Sequence, residues 1–277
     1  MILPPLRQGV PASEDLLARR ARMPAAWTPE MLEPGTYARD AVIGGVGCLV
    51  CEADSASGTI LYFHGGGYRM GSAAAWANFG SRLAAITGCR IVIADYRLAP
   101  EHPFPAGLAD ALAVYATLVA EEERPPIVAG DSAGGGLAAA VVLAAEPKPH
   151  KAILLSPWLD LTVTNPAFES RSGDQFFPRA SAAEAARQYL QGQDPRDPLV
   201  SPLNGDLSGY PATLILASAD ECLIGDALAF QAALAEARVP VETHIVPGMT
   251  HVWPVIAPAL AESQAALAAI GNFVRAG

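Results

Sequence analysis

The chain has 277 residues, of which 51% are hydrophobic and 17% charged, so it carries ample apolar material for a large core and none of the signature of a disordered protein. Its net charge of −10 argues against nucleic acid as a partner, because phosphates would be repelled. No apolar run approaches the roughly 18 residues of a membrane span, and Pro4, Pro5 and nearby charges interrupt the opening stretch where a secretory signal would lie, so the expectation is a cytoplasmic protein with no membrane insertion.

In chain order, residues up to about Pro34 read as short helix and irregular backbone. Ser13 is placed to cap a helix whose first turn carries Glu14 and Asp15. Two strands are expected next, Tyr37 to Ile43 and Val46 to Glu52, turned by Gly44 and Gly45 into an antiparallel edge. From Thr59 the pattern becomes strand–helix alternation. Thr59–Phe63, Arg90–Tyr96, Ile127–Gly130, Lys151–Trp158, Ala212–Ala219 and Val241–Val246 read as strands. Helices are expected between Phe63 and Arg90, over Ala106–Glu122, after Ser132, around Phe230 and Leu234, and over Ile256–Val274. Continuous apolar strands indicate a parallel sheet covered on both faces, hence an α/β doubly wound architecture.

The fifty residues between Trp158 and Pro211 break this rhythm. They contain Ser181-Ala182-Ala183-Glu184, which reads as a capping box opening a helix to about Leu190. Ligands of α/β sheets bind at the carboxyl ends of the strands, so a long excursion there suggests a lid. We expect a single domain, residues 1–277, with a small cap formed by about 1–34 and about 160–208. Cys48 and Cys51 have metal-type spacing, but an alternating strand puts them on opposite faces and no second pair exists. All four cysteines, with Cys89 and Cys222, read as reduced core thiols.

The chemistry centres on Ile127–Leu137, IVAGDSAGGGL. Here G-x-S-x-G lies between a strand and a helix, the setting in which a tight turn lifts a serine hydroxyl clear of the sheet. A Cβ at Gly130 or Gly134 would collide with backbone in such a turn. Ser132 then needs a base and the base an orienting acid. Among five histidines, His251 lies in the loop after the last strand. His244 is mid-strand and reads as packed, His150 sits in a turn and His102 in a Pro-rich loop. Asp220 directly follows the strand ATLILASA, while Asp226 reads as a helix N-cap. The order Ser132, Asp220, His251 is that of nucleophile, acid and histidine in α/β-hydrolases. Glu221 is a rival acid, although a side chain one residue on should point elsewhere. His64-Gly65-Gly66-Gly67 after a strand offers amides unobstructed by side chains, and with the helix N-terminus gives three expected oxyanion donors: Gly65, Gly66 and Ala133.

These motifs resemble the hormone-sensitive-lipase-like carboxylesterases of the α/β-hydrolase superfamily. The resemblance rests on HGGGY (His64–Tyr68), DYRLAPEHPFPA (Asp95–Ala106), GDSAGG (Gly130–Gly135), SPWLDL (Ser156–Leu161) and the surroundings of Asp220 and His251. It implies the α/β-hydrolase fold, a mostly parallel eight-stranded sheet with helices on both faces and a small helical cap. It implies the same triad and oxyanion donors, and no metal or organic cofactor. By the same resemblance His64 is a structural member of its loop, and Asp95, Arg97 and Glu101 form a charged cluster holding that loop. The expected reaction is hydrolysis of small, short-acyl esters through a Ser132 acyl-enzyme. Tyr68, Trp76, Phe176, Phe177, Leu223, Val252 and Trp253 are candidate pocket walls. The sequence Gly-Met-Thr-His-Val-Trp around His251 is similar to relatives that open monoterpene lactones, so lactone or amide hydrolysis is the alternative, with a non-catalytic small-molecule binder as a third reading. Relatives often dimerise, and the sequence leaves the oligomer open.

Overall fold

All eight expected strands form, because each is a short apolar, β-rich run bounded by turn residues. The computed structural model describes residues 3–54, 56–171, 173–174 and 176–276. Met1 and Ile2 at the start of the expected cap, and Ser172 and Gln175 in its second piece, lie outside the described residues. The strands are β1 Thr36–Ile43, β2 Val46–Ala53, β3 Thr59–Phe63, β4 Arg90–Ala94, β5 Ile127–Asp131, β6 Ala152–Leu155, β7 Thr213–Ser218 and β8 Val241–Val246. They make one sheet in the order β1-β2-β4-β3-β5-β6-β7-β8. The β1–β2 and β2–β4 pairs are antiparallel, and every later pair is parallel.

Helices α1 Glu14–Arg20, α2 Ala77–Thr87, α3 Ala106–Glu121, α4 Ala133–Ala144, α5 Ala167–Ser170, α6 Arg179–Leu190, α7 Ile224–Glu236, α8 Trp253–Ile256 and α9 Ala261–Arg275 complete the chain. Alternation along the strands divides the interior into two layers. Leu61, Phe63, Val92, Val128, Leu154 and Ile215 pack with α3, α4 and α7 on one face. Ile60, Tyr62, Ile91, Ile153 and Leu214 pack with α2 and α9 on the other. Cys48 belongs to the first layer and Cys51 to the second, as strand alternation requires. This is the mostly parallel α/β-hydrolase arrangement, and no described helix is long and apolar enough to cross a membrane.

Local expectations hold unevenly. Ser13 accepts the Leu16 amide at 3.3 Å and caps α1. Ser181 caps nothing: α6 starts earlier, at Arg179 behind Pro178, whose fixed φ suits a helix entrance. The closing helix is two helices, because Pro258 has no N–H to continue α8. Asp226 is not the N-cap of α7 but lies buried in its first turn, accepting the Leu159 and Asp160 amides of a neighbouring loop. Burial pushes that carboxyl up to about 7 against those hydrogen bonds. His244 is half-exposed on the edge strand β8, beside Glu242, rather than packed.

Candidate active site

Strand β5 delivers the chain to a turn that only small residues allow. Ser132 has φ +53°, the left-handed region that a non-glycine residue enters only when its surroundings hold it there. Its amide donates to the Leu155 carbonyl at 2.8 Å and its carbonyl accepts from Trp158 at 3.0 Å. A Cβ on Gly130 would strike the Gly134 backbone, and one on Gly134 would strike Phe63 and His64, so both glycines are steric necessities of the turn. Directly behind it α4 begins at Ala133, with its unpaired amides pointing back towards the serine.

Three segments distant in sequence meet here. The Ser132 hydroxyl lies 2.9 Å from His251 Nε2, and His251 Nδ1 lies 2.5 Å from Glu221 Oε2. All three residues are buried. The acid differs from the expectation of Asp220. β7 ends at Ser218, and the turn that follows sends Asp220 outward, where it accepts the Gly248 amide at 2.6 Å and braces the loop carrying the histidine. Glu221 turns inward, one methylene longer. Its second oxygen accepts the Ser218 amide at 2.9 Å, which fixes the carboxylate plane. Burial alone lowers the His251 pKa, but the hydrogen bond and charge of Glu221, helped by Asp174 and Asp131, outweigh it and leave the net shift upward.

The glycine loop also differs in detail. The Gly65 amide does not face the serine: it donates to Asp131 Oδ1 at 3.0 Å. The same oxygen accepts Tyr62 Oη and Trp76 Nε1, each at 2.8 Å. Burial pushes the Asp131 carboxyl up to about 6, and these three donors hold it back from rising further. Gly66 and Gly67 instead line the cleft beside Ser132. Gly66 has φ +118°, a conformation closed to side chains, and a Cβ there would run into the Met70 backbone. The amides of Gly66, Gly67 and Ala133 meet no acceptor among the described residues.

His64 is buried, with Nδ1 on the Gly65 carbonyl at 2.8 Å and its ring stacked on Tyr96 at 4.5 Å, in keeping with a place inside its loop. Asp95, Arg97 and Glu101 do not form one cluster. Asp95 accepts the Ala73 amide, Arg97 pairs with Asp110, and Glu101 pairs with Arg20. Each braces a separate segment.

The cleft above Ser132 has a volume of about 500 Å³. Of the expected walls, Trp76, Phe176, Phe177 and Val252 line it. Tyr68, Leu223 and Trp253 do not. Tyr68 is stacked 4.0 Å from Tyr189, and Leu223 and Trp253 sit in the core layers, because apolar side chains next to a motif in sequence are as free to point inward as out. Arg19 of α1, Met23 just beyond it, Ser181 of α6, and Arg69, Met70 and Ile256 complete the lining. Arg19 and Asp131 carried no signal in the sequence beyond a place on a capped helix and the variable position of a short motif.

A buried hydroxyl, imidazole and carboxylate in series, next to unpaired amides, are the groups that nucleophilic acyl transfer requires. The chain belongs to the α/β-hydrolase family: the sequence profile of the alpha/beta hydrolase fold matches residues 60–255. It is similar to an acetyl-hydrolase of Streptomyces hygroscopicus, 39% identical over 224 residues covering 78% of this chain and 75% of the relative. It is also similar to an esterase of Acinetobacter venetianus, 33% identical and covering 79% and 75% of the two chains. Among solved structures, an esterase of the bacterial hormone-sensitive lipase family superposes with a TM-score of 0.85 at 34% identity, covering 94% of this chain and 95% of that one. EstE5, in a crystal soaked with p-nitrophenyl butyrate, gives 0.88 at 33% identity, covering 96% and 93%. Within the family the chain is a carboxylesterase of the hormone-sensitive-lipase type.

Proposed function

We propose that the chain hydrolyses small carboxylic esters through an acyl-enzyme on Ser132. The observation that carries this reading is the unbroken series from Ser132 Oγ through His251 to Glu221, at 2.9 and 2.5 Å. His251 takes the Ser132 proton through Nε2 as the oxygen attacks the ester carbonyl. Glu221 holds Nδ1–H and steadies the imidazolium that forms. The amides of Gly66, Gly67 and Ala133 receive the developing oxyanion, Gly67 standing where Gly65 was expected. His251 then protonates the leaving alcohol, and water repeats the sequence on the acyl-enzyme.

The described residues of about 1–34 and about 160–208 act as a cap on a single domain. Arg19 and Met23 from the first piece, and Phe176, Phe177 and Ser181 from the second, border the same cleft, which supports this division. Short acyl groups suit the cleft, because it is a bounded space of about 500 Å³ whose apolar lining of Met23, Met70, Trp76, Phe176 and Phe177 is interrupted at Arg19 and Arg69. The name of the Streptomyces relative, acetyl-hydrolase, points the same way. Four buried free cysteines suit a reducing, cytoplasmic setting. The test is a series of p-nitrophenyl esters from acetate to dodecanoate, with a nitroanilide and an ε-lactone beside them. Specificity should peak at the short end of the ester series. A maximum at dodecanoate, or faster turnover of the anilide or lactone than of every ester, would contradict the reading.

Asp131 is the positioning residue of this arrangement. Asp131→Ala strands the Tyr62 hydroxyl, the Trp76 N–H and the Gly65 amide, and orphaned buried donors each destabilise by roughly 1–3 kcal/mol. The expected result is a lower melting temperature together with a loss of about 10²-fold in kcat, the scale of one mispositioned oxyanion donor. Asp131→Asn keeps an acceptor oxygen and should recover most of the stability. Equal melting temperatures and rates for the alanine variant and the parent would dismiss the role.

A further inference from the structure

The same cleft carries an unbalanced positive charge, and this narrows the substrate class that the reading above leaves open. The chain as a whole is acidic, at −10. Yet the basic and acidic side chains bordering the cleft, His251 aside, are Arg19, Arg69 and Asp131. Asp131 is committed beneath the glycine loop to three donors. The two arginines have no such partners.

Arg69 is only 6% exposed. Nη1 reaches the neutral Gln188 Oε1 at 3.3 Å, and Nε meets no acceptor at all. No carboxylate pairs with it among the described residues. The acid whose charge acts on it, Glu184, spends its oxygens on Arg187 at 2.9 and 2.7 Å and on Gln188 at 2.7 Å. Arg20 is already neutralised by Glu101 at 2.6 and 3.0 Å, and its Nε donates to the Arg69 carbonyl at 2.7 Å. Arg19, in the last turn of α1, is exposed, and its side chain takes part in no hydrogen bond or ion pair among the described residues. A guanidinium stays charged when buried, and burying it without a counter-charge is unfavourable. Its planar fork of donors matches the paired oxygens of an anion such as a carboxylate.

We propose that the preferred esters carry a carboxylate away from the scissile bond, which Arg69 receives with Arg19 at the rim. The positive edge of the cleft also offsets the repulsion that an acidic protein exerts on an anionic substrate. The inference rests on the ester-hydrolase reading and concerns only what its substrate looks like.

Two matched pairs test it. Mono-4-nitrophenyl adipate against 4-nitrophenyl hexanoate places the charge on the acyl side. 4-Acetoxybenzoate against 4-acetoxybenzamide places it on the alcohol side. For each, kcat/KM is measured with the parent, Arg69→Gln and Arg19→Gln, and the anionic-to-neutral ratio is taken within each sample, so that the folded fraction cancels. In at least one pair the Arg69→Gln ratio should fall about tenfold, the scale of a lost hydrogen bond to a charged group. The Arg19→Gln ratio should fall about threefold, and high salt should erase that smaller difference because the group is exposed. Turnover of the neutral esters with ratios unchanged in both variants overturns the inference and leaves the esterase reading standing. No turnover of any of the four by the parent overturns both.

Discussion

Ser132→Ala should lower kcat for p-nitrophenyl esters by about 10⁵-fold or more, as removal of a triad nucleophile does elsewhere. The serine is buried and its hydroxyl faces His251 Nε2 at 2.9 Å, so the variant loses the one hydroxyl that touches the base among the described residues. Folding should survive, since the turn is set by Gly130, Gly134 and the Ser132 backbone bonds to Leu155 and Trp158, all of which remain. A melting temperature within a few degrees of the parent, with activity at the background of the amide cradle, is the expected pair of results. Ester hydrolysis at the parent rate would remove Ser132 from the reaction.

Glu221→Gln should be nearly as severe, at about 10⁴-fold in kcat. Glu221 Oε1 accepts the Ser218 amide while Oε2 meets His251 Nδ1. A glutamine that keeps its carbonyl oxygen on Ser218 turns its NH₂ towards Nδ1. That forces the ring proton onto Nε2, which then cannot accept from Ser132. Asp220→Asn should change kcat less than about tenfold, because its carboxylate serves the Gly248 amide at the surface and an asparagine oxygen can replace it. The pH profile separates the two further. Neutral imidazole is the working form, so a raised His251 pKa puts the acid limb of kcat/KM above the ordinary value of about 6.5. In Glu221→Gln the residual activity should show that limb moved down, because the group that raises the pKa is gone. A limb that stays in place would mean the shift has another origin.

The parts legible from sequence share a cause: each is fixed by local chemistry. Eight strands follow from apolar runs between turn residues, and the elbow follows from Gly130 and Gly134, whose missing side chains are visible in one dimension. His251 was found because the loop after the last strand leads to the carboxyl edge of the sheet. The acid lies one residue beyond the expected position because strand parity predicts direction only while the strand lasts, and β7 stops at Ser218. Likewise the Gly65 amide turns away to Asp131, a partner 66 positions further along that no local pattern announces. Tyr68 and Trp253 adjoin the motifs yet point into the interior, because sequence shows which residues neighbour a motif, not which face they take. The break at Pro258 was in plain view, but the apolar stripe on either side of it read as one helix.

The most direct test is the rate at which a fluorophosphonate labels the folded protein, followed by peptide mass mapping. The account predicts one adduct per chain, on Ser132, formed quickly by the parent and by Asp220→Asn and orders of magnitude more slowly by Glu221→Gln. An unlabelled Ser132, or a Glu221→Gln variant that reacts as fast as the parent while Asp220→Asn does not, would contradict it.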